Sequence, residues 1–520
     1  MALKSYRGAQ ARNAAVTALL AAAEPALLFR LGLTPASLRE LAQAFHGKLV
    51  LPGMPGYDRD RAGNPLYEAA PLAIAYCATV SDVALMLDLA RSRSLWVACR
   101  SGGHSTAGFS VNNGLVIDTS LLNGIAVDAE RREARVGAGV NFGQLNSTLD
   151  IYQLHVPGGG CATVCVAGFM QGGGYGFTSR QYGMNCDNVL GFSMMLADGS
   201  IVQASRDVNR DLFWAVRGGT GNNFGVLLDI TYRLHDLYQV WGFGLHWHLE
   251  QAPDVLVTLQ AGFMDTGAPA ALGHQVFLGT SKHGKGLTML GMFNGSRADG
   301  LAALAPLLRL GAPQLVADRI DTYHALNEGL LDEMTPPVDG LIEFKRSGYL
   351  AAPLGRAGWQ HLSDALRDAP NPFALIGLEV YGGAINAGPE PANAFIHRDV
   401  SCNLFIDSFF DEAGQPTSRQ QAQAWLDETF GAIAPSLNGH VYQNYPVRGL
   451  PRFWDAYWGP AYPALRAVKD RYDPGNLFRF EQSISAGPAL SLPPSMAPDS
   501  ADGHAVIRTT PARGLLPLPR

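Results

Sequence analysis

Hydrophobic and polar positions divide the chain into two textures. From residue 73 short apolar runs alternate with an amphipathic stretch. Residues 73–77 read as a strand, Ser81 as the N-cap of a helix over 82–92, and 95–99 as a second strand that runs into Arg100-Ser-Gly-Gly-His104-Ser105. The period then falls towards two over 114–118, 125–128 and 134–137, and a helix is expected over 141–149. Asp198-Gly199 between two apolar runs predicts a hairpin. After about residue 234 alternating segments (241–249, 274–278, 287–293, 373–381, 403–409) interleave with alanine- and leucine-rich helical patterns (301–310, 358–369, 418–432). That order predicts one antiparallel sheet with helices on one face. The fold class is α+β.

Five hundred and twenty residues exceed what one core usually supports. The expected division is a two-part domain over 1–240 (core about 67–236) and 436–485, a second domain over 241–435, and a loosely ordered Pro/Ala/Ser-rich tail over 486–520. The net charge of −6 and the absence of basic blocks leave no electrostatic footprint for nucleic acid. No apolar run is long enough to span a bilayer, so no membrane partner is expected. Six scattered cysteines are too sparse for a disulfide framework. An alanine-rich run behind Lys4, Arg7 and Arg12 loosely imitates a secretory signal, but Glu24 and Arg30 interrupt it. It is read as an N-terminal helix of a cytoplasmic protein.

Candidate chemistry sits in two glycine-rich stretches, 100–105 and 158–176. The second reads GGGCATVCVAGFMQGGGYG and carries no charge. Neither fits a P-loop, which needs a lysine after its last glycine, nor a dinucleotide fingerprint, which needs to follow the first strand of a βαβ unit. Cys161 and Cys165 have no second pair with histidines to complete a zinc site, and no metal is expected. Glycine at this density suits a backbone that must come close to something flat.

Four ordered motifs carry a resemblance. The 100–105 loop, 157–176, Tyr442-Gln-Asn-Tyr445-Pro446, and Tyr472-Asp-Pro-Gly-Asn-Leu-Phe478 with Gln482-Ser-Ile484 look like the berberine-bridge-enzyme-like flavoproteins, within the vanillyl-alcohol-oxidase (PCMH) type of FAD-linked oxidases. The resemblance spans about residues 45–485. It implies a two-part FAD domain and FAD attached twice, through His104 to the 8α-methyl and through Cys161 to C6. It implies cofactor contacts from Arg100, Ser101, Gly102, Gly103 and Ser105, and from Pro157, Gly158, Val164 and Gly168. Further contacts are implied from Gly172, Gly173, Gly174, Tyr175 and Gly176, with Val226 and Asn444 completing the set. Cys165 stands where the family usually has glycine.

The resemblance also implies that Tyr445 acts as base beside the flavin, with Tyr442 and Tyr381 as further catalytic candidates. A tyrosine base needs its anion stabilised, since burial alone raises its pKa. Arg346, Lys345, His397 and Arg398 are the candidate cations. Val164 stands where family members that use dioxygen tend to carry valine. The implied activity is oxidation of an alcohol, possibly a sugar hydroxyl, with O2 reduced to H2O2. The alternative is a flavin dehydrogenase or an oxidative cyclase acting on an alkaloid-like or polyketide-like compound.

Overall fold

The computed structural model describes residues 14–264, 267–337, 340–411 and 417–485. The expected tail over 486–520 and the Lys4–Arg12 region lie outside them. Three larger sheets organise the chain. The first has strand order Lys48–Val50, Ala73–Tyr76, Leu115–Asp118, Val97–Arg100, with its last three strands parallel. Helix Val80–Arg93 makes the crossover. Its N-cap is Thr79 rather than Ser81, because the Thr79 hydroxyl accepts from Asp82 N while the Asp82 carboxylate reaches back, closing a capping box. The 101–105 loop therefore leaves the carboxyl end of a parallel strand, a place where open α/β sheets bind ligands.

The second sheet is antiparallel, in the order Ile125–Asp128, Glu133–Gly137, Val226–Arg233, Val189–Met195, Ile201–Ser205. Asp198-Gly199 makes the expected turn, with Gly199 at φ +84°. The third sheet has seven antiparallel strands, in the order Gln314–Thr322, Gln239–His248, Gly284–Phe293, Leu272–Ser281, Leu375–Val380, Cys402–Phe410, Ile342–Leu350. Its two edge strands are those the hydrophobic pattern does not signal. Both carry charges, as edge strands commonly do.

One face of this sheet sends Val276, Leu278, Ile376, Leu378, Leu404 and Ile406 into a core shared with helices Ala252–Gly262, Gly355–Arg367 and Arg419–Ile433. Because side chains alternate, the opposite face carries Gln275, Phe277, Glu379, Phe405 and Lys345. After residue 441 the chain returns to the second sheet. Tyr442, Tyr457, Trp458 and Leu465 pack in one core with Phe192 and Phe213. Fully buried Lys469 ties this return in place. Its Nζ donates to Asn223 O (2.6 Å), Asp473 Oδ2 (2.6 Å) and Phe478 O (2.5 Å), so the ammonium is both paired and hydrogen-bonded.

Candidate active site

A cavity of about 510 Å³ lies between the two glycine-rich stretches, the polar face of the seven-stranded sheet and the returning 441–482 segment. Ser101, Gly102, Gly103, His104 and Ser105 line one wall, and Cys161, Val164 and Gly168 another; Val226, Tyr175, Tyr442, Asn444 and Tyr445 also face it. His104 Nε2 lies 3.0 Å from Thr163 Oγ1. Partial burial lowers the His104 pKa, opposed by a contact with the Thr163 carbonyl, so the imidazole is neutral at pH 7. Cys161 opens onto the cavity, but desolvation pushes its thiol up against the opposing charge of Lys345. Gly168, in the helix Val166–Gln171, is exposed at the cavity, and a Cβ built there would meet nothing within 4 Å.

Several implied cofactor contacts have other duties. Arg100 lines the cavity, but its guanidinium is committed to Asp118 (Nε to Oδ2, 2.5 Å) and to Asp60 O (2.7 Å). Pro157, Gly158, Gly172, Gly173, Gly174 and Gly176 are not on the cavity wall. Their small size serves packing within the protein. A Cβ on Gly172 would stand 1.9 Å from Asn444 Oδ1, one on Gly174 2.4 Å from the Phe169 ring, and one on Gly176 1.9 Å from Gly158 O. Gly173, at φ +114°, lies against Phe395. Pro157 O accepts from Asn185 Nδ2 (2.7 Å), and Gly158 O accepts from Tyr323 (3.1 Å). This run holds the wall from behind.

The tyrosines separate in the same way. Tyr445 faces the cavity and donates its hydroxyl to Glu379 Oε1 at 2.6 Å. Tyr442 packs edge-on against it with ring centres 5.0 Å apart. The Tyr442 hydroxyl accepts from Gly174 N (2.9 Å) and from Asn444 Nδ2 (3.1 Å), which makes it a bracket between two loops. Tyr381 does not reach the cavity. It is fully buried, stacked 5.8 Å from Tyr175, with its hydroxyl 3.3 Å from that of Tyr349. It lies two residues past Glu379, beyond the end of the strand, behind the Tyr175 ring.

The expected stabilisation of a Tyr445 phenolate is absent among the described residues. Burial and then the Glu379 charge push the Tyr445 pKa well up. Of the four candidate cations, Arg346 pairs with Asp427 (2.6 Å), Arg398 with Asp187 (2.6 Å), and His397 bonds Gln443 (3.0 Å). Lys345 alone comes close, 5.0 Å from the centre of the Tyr445 ring, yet it is held by Asp407 and by Glu343 (3.0 Å).

The residue that sequence reasoning passed over is Glu379. It is 5% exposed, it lines the cavity, and Asn403 Nδ2 fixes its second oxygen at 2.9 Å. Burial raises its pKa above the ordinary carboxylate range, although Tyr445, Asn403 and Lys345 all oppose the rise. The signal was present in Leu378-Glu-Val-Tyr381: one charge in an otherwise apolar strand.

Comparison with known proteins places the chain in a family. An FAD binding domain model matches residues 71–205, and a berberine and berberine-like model matches 441–485. The FAD-linked oxidoreductase YgaK of Bacillus subtilis is 30% identical over 450 residues, covering 84% of this chain and 96% of that protein. A chitooligosaccharide oxidase of Gibberella zeae is 28% identical over 436 residues, covering 80% and 87%. The solved structure of Physcomitrella patens BBE-like 1 is 25% identical and superposes with a TM-score of 0.77, over 86% of this chain and 98% of that one. The open space beside Gly168, with the His104 imidazole and the Cys161 thiol facing one cavity, fits a ring system held at its rim. The chain thus belongs to the berberine-bridge-enzyme-like family of FAD-linked oxidoreductases, and FAD is its cofactor.

Proposed function

We propose that this enzyme is an oxidase that takes a hydride and a proton from an alcohol and passes the electron pair to dioxygen, releasing hydrogen peroxide. FAD would be held covalently by His104 and Cys161. The observation that carries the reading is the part-buried Tyr445–Glu379 hydrogen bond, 2.6 Å long, at the wall of the cavity that also receives His104 and Cys161. FAD bound there supplies the hydride acceptor.

The side chains do the proton chemistry. A substrate hydroxyl placed against Tyr445 Oη gives up its proton as Tyr445 passes its own to Glu379 Oε1. The phenolate never has to persist, which removes the need for a dedicated cation. Burial makes Glu379 a stronger base, which favours its taking the proton, while burial of Tyr445 disfavours a lasting phenolate, so the two transfers have to be concerted. Asn403 keeps the carboxylate aimed, and Phe405 packs edge-on to Tyr445 with ring centres 5.6 Å apart. The apolar cluster of Phe277, Leu290 and Phe405 beside the dyad suits the face of a ring, carbohydrate or aromatic. The relationship to a chitooligosaccharide oxidase supports a carbohydrate.

A panel of sugars, aliphatic alcohols and aromatic carbinols, assayed by oxygen electrode and peroxide release, tests the proposal. The expected result is one class that consumes oxygen and yields an equal amount of peroxide. Turnover that needs an artificial acceptor and releases no peroxide would overturn it.

A further inference from the structure

The His104 side chain is partly exposed at the cavity. What orients it is Thr163. The hydroxyl lies 3.0 Å from Nε2, and the carbonyl of the same residue also reaches the ring. Thr163 is itself firmly placed. Val164 N donates to Cys161 O (3.3 Å), Phe142 N donates to Val164 O (3.0 Å) and Gly143 N donates to Ala162 O (2.9 Å), so the turn is pinned on both sides. The loop bearing one attachment candidate thereby holds the side chain of the other.

We propose that Thr163 is the positioning residue for attachment of FAD to His104: its hydroxyl accepts the Nε2 proton, fixes the tautomer, and leaves the Nδ1 lone pair free to form the bond. This rests on the covalent attachment proposed above.

In the step itself, His104 Nδ1 forms a C–N bond to the 8α carbon while one methyl C–H bond breaks. His104 releases its Nε2 proton past Thr163. The electron pair and the two protons end on dioxygen as hydrogen peroxide, so attachment consumes one O2 and leaves the flavin oxidised. Positive charge grows on the imidazole as the bond forms, and a hydrogen bond to Nε2 strengthens with it. Without the hydroxyl only the contact with the Thr163 carbonyl remains, so a ring on an exposed loop is held less tightly and aims Nδ1 correctly less often.

The test is a peptide map of the full-length flavoprotein after trypsin. His104 falls in fragment 101–131 and Cys161 in fragment 136–180, so a flavin attached at both points bridges the two. Wild type and Thr163→Ser should give the bridged product. Thr163→Val should give at least tenfold less of it, with flavin on 136–180 alone; flavin retained there also reports a folded site. Where the valine variant does not fold, Thr163→Ala is read in the same way. A hydroxyl-free variant that bridges as wild type does, or a serine variant that does not bridge, overturns the role of Thr163. Wild type carrying no flavin on 101–131 would instead overturn the attachment reading itself.

Discussion

Glu379→Gln is the most telling single change at the dyad. Glutamine keeps the size of the side chain and one acceptor oxygen, so Tyr445 can still donate and the strand pairing between Leu375–Val380 and Cys402–Phe410 is untouched. What disappears is the charge, and with it the final home for the proton. A positioned general base is worth roughly 10²–10⁴ in rate. At about 1.4 kcal/mol per tenfold, that is about 3–5 kcal/mol of barrier. The pH dependence has a definite sign. Burial raises the Glu379 pKa, so in wild type the rate of flavin reduction should climb with pH through a value above the ordinary carboxylate figure of about 4.3. In the variant that acid limb should vanish. Replacing the carboxylate by an amide also takes away the Glu379 charge that raises the Tyr445 pKa, while the hydrogen bond stays. Any residual activity should therefore rise with pH at the alkaline end, as the phenol begins to ionise. The assay is anaerobic stopped-flow bleaching of the flavin by substrate between pH 5 and pH 9. A variant within threefold of wild type, with the same acid limb, would refute the relay.

Three other outcomes are expected. Tyr445→Phe deletes a hydrogen bond that holds the Glu379 pKa down, so the acid limb of the same profile should move to higher pH while the rate falls ten- to hundredfold; an unshifted limb would argue against coupling of the two groups. Val164→Leu adds a methylene to the cavity wall three residues after Cys161, and should slow reoxidation by air at least fivefold while leaving anaerobic reduction near wild type, both read by stopped flow. His274 is fully buried, neither ring nitrogen has a hydrogen-bond partner, and burial lowers its pKa to about 3. The unfolded chain, with histidine near pKa 6.5, binds the proton that the folded chain refuses, so stability is lost as pH falls below about 6.5, at about 1.4 kcal/mol per unit. His274→Leu forfeits no hydrogen bond, and should flatten the fall in unfolding free energy between pH 6.5 and pH 5 by about 2 kcal/mol, read by denaturant titration; an unchanged slope would show that His274 is not the group responsible.

Much of this was legible from residue order, and the exceptions have physical reasons. Period-two stretches and turn signals locate the central strands because those strands bury one clean face. The edge strands Gln314–Thr322 and Ile342–Leu350 escape notice because charges interrupt the alternation in both, on an exposed strand in the first and among buried and half-buried positions in the second. His104, Cys161 and Tyr445 stand in motifs whose spacing identifies them, and all three reach one cavity. Gly172, Gly173, Gly174 and Gly176 look like further cradle, but a glycine needed for close packing against Asn444 or Phe169 has the same sequence signature as one needed for a ligand. Tyr381 is a candidate through the family resemblance alone, whereas Glu379, two residues before it, is the one that lines the cavity. Only the sheet register, which sets Glu379 opposite both Gln275 and Asn403, shows which of the two faces the cavity.

The most direct measurement follows the two half-reactions of one enzyme sample. Mixed without air with a substrate found in the peroxide screen, the wild-type flavin should bleach in a single phase, faster with increasing pH through the Glu379 limb. On admission of oxygen it should recover within seconds and release one equivalent of peroxide. Bleaching that is indifferent to pH and to the loss of Glu379, or reduced enzyme that stays colourless in air for many minutes, would contradict an oxidase run by the Tyr445–Glu379 pair.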